Sequence, residues 1–179
     1  MKNKYENTYC NSTPLPDYPL GRNFFLNKTD KSFRETADPT VLYDNGKWYL
    51  YSSCGMAYVS EDFITWKHHR TEPYDIGYAP TVVKHKGKYY LAASFNPELY
   101  VSDSLLGPFK SVGQFTDING NVCCFPDVML FSDDNERLYV YGCNDSSAPG
   151  ITGAELDADN PVQLITPIKT LISFSPSNK

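Results

Sequence analysis

The sequence predicts an all-β fold of the β-propeller type, and three observations lead to that prediction. The 179 residues include 14 tyrosines, 10 phenylalanines and 2 tryptophans, a composition that favours strands. Apolar positions alternate, and proline and glycine recur too often for helices of normal length. One segment recurs three times, with spacings of 41 and then 48 residues, close to the about 40–50 residues of a propeller blade. A β-sandwich of generic hairpins is the alternative.

The three copies share one internal order: an apolar run, a turn, and a second aromatic run. The first copy starts at Asp38 and turns at Asn45-Gly46, the strongest short hairpin signal in the chain. The second copy, from Ala79, repeats the Pro-Thr-Val, Gly-Lys and Tyr-Leu pairs of the first. The third copy, from Asp127, is looser and has the acidic stretch 133–136 in place of the tight turn.

These copies define the expected organisation of the chain. Residues 1–33, with their early prolines, are interpreted as an arm or an irregular first strand. The blades are expected at about 34–75, 76–120 and 121–163, each able to hold about four strands. Residues 164–179 are interpreted as the start of a further, truncated blade. We therefore expect an incomplete propeller of about three blades.

Charge and targeting signals exclude several classes of function. Sixteen basic residues against 21 acids give a net charge of −5, which argues against nucleic acid or an anionic membrane as partner. No window approaches the roughly 18 consecutive apolar residues of a membrane span. The N-terminus has no apolar signal segment, and the five cysteines show no metal-ligand spacing. We expect a cytoplasmic protein with reduced cysteines, no metal and no cofactor.

Two aspartates are the candidate catalytic residues. Asp38 and Asp127 come before equivalent strands, and a propeller turns such positions towards one cavity at the mouth of its channel. Two converging acids suit acid–base chemistry on a glycosidic bond. The equivalent residue of the second copy, Ala79, has no charge. The aromatic residues beside these strand ends are candidate substrate-binding walls, since rings pack on the apolar faces of sugars; they are Tyr78, Phe95 and Phe125.

The ordered set of motifs resembles glycoside hydrolase family 43, a group of five-bladed β-propeller glycosidases. Residues 34–50 resemble the opening blade of that family, 78–91 its second blade, and 124–142 its third. The resemblance covers roughly residues 34–157 and departs from the family pattern at Val128, where proline is usual, and at Glu136, where the turn glycine is usual.

The resemblance implies an inverting hydrolase acting on arabinofuranosyl, xylosyl or galactosyl linkages. Asp38 matches the general base, and Asp127 matches the aspartate that tunes the pKa of the general acid. The acid itself is a glutamate, whose place in the family lies beyond the third blade and so outside this chain. We therefore expect residues 1–179 alone to be a poor or inactive catalyst.

The expected partner is an oligosaccharide or glycoside substrate, and blade edges left open allow self-association. A non-catalytic carbohydrate-binding or protein-interaction β-propeller domain is the second hypothesis. A phosphorylase of the same fold group is the third, and it would need a phosphate site that the basic residues do not reveal.

Overall fold

The computed structural model describes residues 15–16, 18–19, 32–33, 36–53, 55–73, 76–144 and 150–173. Every regular element in these ranges is a strand, and the ranges include no helix with the length and hydropathy of a membrane span. The strands are β1 (Tyr18–Pro19), β2 (Ser32–Phe33), β3 (Thr40–Asp44), β4 (Lys47–Ser52), β5 (Met56–Ser60), β6 (Lys67–Arg70), β7 (Tyr78–His85), β8 (Lys88–Ser94), β9 (Glu98–Ser102), β10 (Lys110–Gln114), β11 (Met129–Ser132), β12 (Leu138–Asn144), β13 (Gly150–Leu156) and β14 (Lys169–Ser173).

Three four-stranded antiparallel sheets, which are the blades, follow one another along the chain. Their strand orders are β3-β4-β5-β6, β7-β8-β9-β10 and β11-β12-β13-β14, so each blade is a simple meander. The short β1–β2 pair forms a separate sheet before the first blade. The architecture confirms the prediction of an all-β fold that forms part of a β-propeller.

The end of the third blade corrects the predicted organisation. Strand β14 pairs antiparallel with β13, with Thr152 opposite Thr170, so it is the outer strand of the third blade and does not open another. The chain reverses between β13 and β14 through a turn in which the Asp157 N–H donates to the Gln163 carbonyl at 2.8 Å. Every residue of β14 is exposed, and the strand therefore carries no alternating burial pattern that would mark its place.

The hydrophobic core lies between neighbouring blades. Tyr51 and Ala57 of the first blade pack with Val82, Leu91 and Ala93 of the second. The opposite face of the second blade packs against the third in a separate cluster that includes Ala92, Leu99, Leu130, Val140 and Leu156. The second blade is thus buried on both faces, which explains the continuous apolar run in β8.

The hairpin turns explain both the regular and the irregular copies. Asn45 and Gly46 have φ of 49° and 79°, and Lys86 and Gly87 have 46° and 77°, the positive pairs of type I′ turns. In the third blade Glu136 has a φ of 58°, the conformation in which glycine is favoured. There the longer turn is held by Asp133, whose side chain accepts the N–H groups of Asn135 and Arg137, both at 2.9 Å.

Candidate functional site

The residues that precede or open the first strands of the three blades share one backbone conformation. We call these residues, Asp38, Ala79 and Asp127, the strand heads. Their φ angles are 51°, 47° and 47°, all in the left-handed region that few residues other than glycine adopt. Asp38 and Asp127 are exposed, whereas Ala79 is half-buried. The fold thus repeats the same sharp chain entry in each blade, and two of the three entries present a carboxylate.

Ser53, the residue after β4, connects the first strand head to the second. Its backbone N–H donates to the carbonyl of Ala37 at 3.1 Å, next to Asp38. Its hydroxyl donates to Asp38 Oδ2 at 3.1 Å and accepts the backbone N–H of Ala79, also at 3.1 Å. One buried serine therefore holds the Asp38 carboxylate and the chain entry of the next blade.

Ser94 connects the second blade to the third in the corresponding way. Its hydroxyl accepts the backbone N–H of Asp127 at 2.8 Å. The Cys143 N–H donates to the carbonyl of Pro126 at 2.8 Å, the counterpart of the bond from Ser53 to Ala37. Asp127 is thus fixed through its main chain. The structure places the two predicted aspartates at equivalent positions, before the first strands of the first and third blades, with the second blade between them.

Two of the three predicted aromatic residues are available to a ligand. Tyr78 is 47% exposed and Phe95 is 51% exposed, and their ring centroids lie 6.2 Å apart. The Phe95 backbone has a φ of 57°, an unusual value for a bulky residue, and its N–H donates to the carbonyl of Phe125 at 3.3 Å. An exposed ring on a strained backbone, next to the strand heads, fits a functional surface.

The third aromatic residue, Phe125, has its ring in the core and not on a wall. It is 3% exposed and meets Phe115 edge-on, with centroids 5.7 Å apart. Its side chain belongs to the cluster between the second and third blades. Only its carbonyl reaches towards the strand heads, through the bond from Phe95. In a regular strand Phe125 and Asp127, two residues apart, would point to the same face. Residues 126–127 instead form a turn, in which Asp127 has a φ of 47°, so the ring is buried while the carboxylate is exposed.

The aspartates of the outer turns serve the local backbone. N–H groups of Thr65 and Ile64 donate to the Asp62 carboxylate and lower its pKa to about 2. The backbone N–H of Arg137 likewise lowers the pKa of Asp133. These acids stabilise turns, as expected for aspartate in such positions. Over the described ranges, no group of three or more His, Cys, Asp or Glu side chains is arranged to hold a metal ion.

The two serines were missed by sequence reasoning, although a signal for them was present. Ser53 and Ser94 lie 41 residues apart, at the same position of the first two copies. A hydroxyl at the end of a strand is usually attributed to solvent or to a local turn. Its contact with the next blade becomes visible only when the blades are assembled.

The family model described as Glycosyl hydrolases family 43 matches residues 34–175. No curated protein sequence matches the chain significantly.

Several solved structures share the fold. The α-L-arabinofuranosidase CtGH43 from Clostridium thermocellum has 20% identity and a TM-score of 0.60, over 75% of this chain and 55% of that one. An endo-1,4-β-xylanase from Bacteroides thetaiotaomicron has 25% identity and a TM-score of 0.60, over 75% and 52%. CoXyl43, a β-xylosidase/α-arabinofuranosidase from a compost microbial metagenome in complex with xylotriose, has 20% identity and a TM-score of 0.56, over 75% and 58%. The chain thus spans little more than half the length of these proteins.

Proposed function

The chain belongs to glycosyl hydrolase family 43, and we propose that its three blades supply the general-base side of an inverting glycosidase active site, with Asp38 as the base. One observation carries this proposal. The carboxylate of Asp38 is exposed at a strand head and is held on Oδ2 by the Ser53 hydroxyl. The equivalent head of the second blade forms the same backbone without any acid, so folding does not require this carboxylate.

The proposed reaction step is a single displacement at the anomeric carbon. Asp38 accepts a proton from a water molecule while the water oxygen bonds to that carbon from the face opposite the leaving group. The bond from the anomeric carbon to the glycosidic oxygen breaks at the same time, and the leaving oxygen receives a proton from a general acid. Inverting enzymes keep their two carboxyl groups about 6.5–9.5 Å apart so that the water fits between base and sugar.

We assign Asp127 the role of keeping the general acid protonated. A carboxylate close to a second carboxyl group raises the pKa of that group, which allows an acid to hold its proton near neutral pH. None of the three strand heads described here carries a glutamate. We propose that the acid comes from a part of the active site outside these blades, so residues 1–179 alone are expected to hydrolyse ordinary glycosides poorly.

The proposed substrate is an arabinofuranosyl or xylosyl oligosaccharide. The matched structures are named as arabinofuranosidase, xylanase and xylosidase, and one of them holds xylotriose. In this chain the exposed pair Tyr78 and Phe95 offers an aromatic surface beside the strand heads. We propose that this pair stacks on the apolar face of a sugar ring.

The dependence of the hydrolysis rate on the leaving group tests whether these blades supply the general base without the general acid. A 2,4-dinitrophenyl glycoside needs no general acid because its leaving group departs as a stable anion, whereas a methyl glycoside needs one. We expect residues 1–179 to hydrolyse dinitrophenyl xyloside or arabinofuranoside slowly but measurably, and not the methyl glycosides. Equal rates on both substrate types would show that the chain holds its own acid. Absence of turnover on both would contradict the role of Asp38.

The exposed ring pair also supports a second function, non-catalytic carbohydrate binding. Calorimetric titration with xylo- and arabino-oligosaccharides separates the two functions. Under the catalytic proposal, Asp38→Asn removes turnover of the activated substrate while leaving oligosaccharide binding in place. Under the binding alternative, the chain binds the sugar with no turnover of any substrate.

A further inference from the structure

We propose that Ser53 is the positioning residue for the base: its hydroxyl orients the Asp38 carboxylate and fixes it to the chain entry of the second blade. This inference rests on the role proposed above for Asp38. Ser53 is 9% exposed, whereas Asp38 faces solvent. The bond between them therefore has its donor on the protected side, where competing water is scarce.

The chemistry of the three groups fixes the direction of both bonds. A hydroxyl has one proton to donate and two lone pairs that accept. The backbone N–H of Ala79 is only a donor, and an ionised carboxylate is only an acceptor. The Ser53 proton must therefore point at Asp38 Oδ2, and the Ala79 N–H must point at Ser53 Oγ, with both pairs of heavy atoms 3.1 Å apart. The single proton of the Ser53 hydroxyl is thus committed to Asp38 Oδ2, which favours one orientation of the carboxylate.

The second blade shows which part of this arrangement is architectural. Ser94 accepts the N–H of the next strand head, as Ser53 does. The head of its own blade is Ala79, which has no carboxylate to receive the hydroxyl proton. Joining one blade to the next thus needs only the hydrogen bond that the serine hydroxyl accepts. The hydrogen bond that the Ser53 hydroxyl donates to Asp38 is not needed for this joining, and it occurs at the proposed base.

This geometry links the orientation of the base to the spacing of the blades. Ser53 occupies Oδ2, which leaves Oδ1 as the oxygen that receives the proton of the attacking water. A second bond, from the Thr40 hydroxyl to the Pro80 carbonyl at 2.8 Å, holds the same two blades together just beyond the strand heads. The position of the Asp38 carboxylate is consequently fixed relative to both blades. A general base must be held in this way if it is to activate water at one point in the active site.

Nuclear magnetic resonance of the chain tests the proposal without relying on activity. In Ser53→Ala we expect the carboxyl carbon resonance of Asp38 to shift at pH 7 and the Ala79 amide to exchange about fivefold faster, since each loses a hydrogen bond. Ser53→Thr, which keeps the hydroxyl, should restore both signals. The matched control is Ser102→Ala, which removes a buried hydroxyl that accepts the Ser104 N–H at 3.0 Å away from the strand heads.

Asp38→Ala tests the same link from its other end, in a chain that keeps Ser53. Loss of the acceptor frees the serine hydroxyl, so the Ala79 amide resonance should shift, whereas Asp127→Ala should leave it unchanged. The proposal is overturned if Ser53→Ala leaves both signals at their wild-type values, or if Asp38→Ala fails to move the Ala79 amide.

Kinetics on the dinitrophenyl glycoside then separates positioning from simple stability. Ser53→Ala should lower kcat about tenfold and leave KM within about twofold, and Ser53→Thr should recover the rate. Ser102→Ala should keep the wild-type rate. If Asp38→Asn does not change hydrolysis while the resonance shifts appear as expected, the proposed function fails and the Ser53 contact stands. An unchanged rate in Ser53→Ala, alongside a sensitive Asp38→Asn, overturns the positioning role.

Discussion

The boundary between the first and second blades and the boundary between the second and third are held by the same backbone scheme with different charged groups. At each boundary a serine hydroxyl accepts the N–H of the next strand head, at 3.1 Å and 2.8 Å. A threonine lies next to each serine contact: Thr40 donates to the Pro80 carbonyl, and Thr81 accepts the Leu130 N–H. The serine bond recurs because each blade must satisfy the buried N–H of the next strand head, whereas the two threonines satisfy different groups, a carbonyl and an N–H.

The charged groups occupy different positions at the two boundaries, since Lys86 pairs with Asp159 at 2.6 Å across the second. At the outer end of the first boundary, Asp44 binds Lys84 at 2.6 Å and accepts from the Tyr89 hydroxyl at 2.7 Å. At the corresponding place on the second boundary, His85 lies 2.9 Å from Ser132. Neutral hydrogen bonds and apolar packing thus hold both boundaries, while the charged groups vary from blade to blade. We attribute the Asp38 carboxylate to the proposed chemistry because Ala79 has the same strand-head conformation without a charge.

The largest effect on stability is expected from Phe125→Ala, which tests whether the second boundary depends on this ring. Removing a buried phenylalanine costs about 3–5 kcal/mol of unfolding free energy. Phe125 is 3% exposed, and a Cβ on Gly142 would lie 2.8 Å from the Phe125 Cβ, so the site is tightly packed. Urea unfolding gives the value. Phe95→Ala is the exposed control, and a greater loss there than at Phe125 would contradict the assignment.

A smaller effect, on binding rather than stability, is expected from Tyr78→Ala and Phe95→Ala. Each removes a half-exposed ring that is proposed to stack on sugar, so affinity for xylo- or arabino-oligosaccharides should fall about 5–10-fold, while the unfolding free energy changes little. Tyr43→Ala, which removes an exposed ring at the far end of β3, serves as the control in calorimetric titration. Equal losses in all three variants would show that the ring pair has no special role.

A strand head without an acid offers a test of backbone strain. Ala79 has a φ of 47°, which costs an alanine roughly 1–2 kcal/mol, whereas glycine adopts it freely. Ala79→Gly should therefore raise the unfolding free energy by about 0.5–1 kcal/mol after the entropic cost of glycine. Ala93→Gly, in the buried middle of β8, should lower it. Equal destabilisation of both variants would contradict the left-handed backbone conformation assigned to Ala79.

The smallest effect concerns the pH dependence of the first boundary. The bonds from Lys84 and Tyr89 lower the pKa of Asp44 below its usual 3.8. Because the folded value lies below the unfolded one, the stabilisation is complete above about pH 4 and is lost as the pH falls through the lowered pKa. Asp44→Asn should flatten this loss in urea unfolding between pH 6 and 3. The control is Asp103→Asn, which removes an exposed carboxylate whose Oδ1 lies 4.0 Å from Lys88 Nζ. This variant should keep the wild-type loss of stability. An unchanged slope in Asp44→Asn would contradict the contact.

Much of the fold could be predicted from the sequence because each blade is a local meander. The Asn45-Gly46 turn and the 41-residue repeat indicate strand order directly, and the structure confirms an all-β propeller segment. The outer strand β14 could not be placed in this way, since an exposed strand has no burial pattern. Its assignment depends on its pairing with β13, a contact between segments separated by a turn.

The candidate site was only partly predictable, for a related reason. Asp38 and Asp127 stand out because they recur at the heads of copies, and recurrence can be counted in a sequence. The ring of Phe125 is in the core while Asp127 is exposed because residues 126–127 form a turn, and the spacing of the copies does not encode that turn. The role of Ser53 depends on a contact with the next blade, because its hydroxyl accepts the N–H of Ala79, 26 residues further along the chain. Contacts between blades are what the sequence pattern does not contain.

The carboxylate of Asp38 is proposed to serve catalysis and not folding. The most direct measurement compares wild type with Asp38→Asn in two respects, kcat/KM on the dinitrophenyl glycoside and the thermal unfolding midpoint. We expect kcat/KM to fall about a hundredfold or more, because a general base contributes about 10²–10⁴-fold, while the midpoint stays within about 2 °C. An unchanged kcat/KM, or a loss of activity that accompanies a large drop in the midpoint, would contradict the claim.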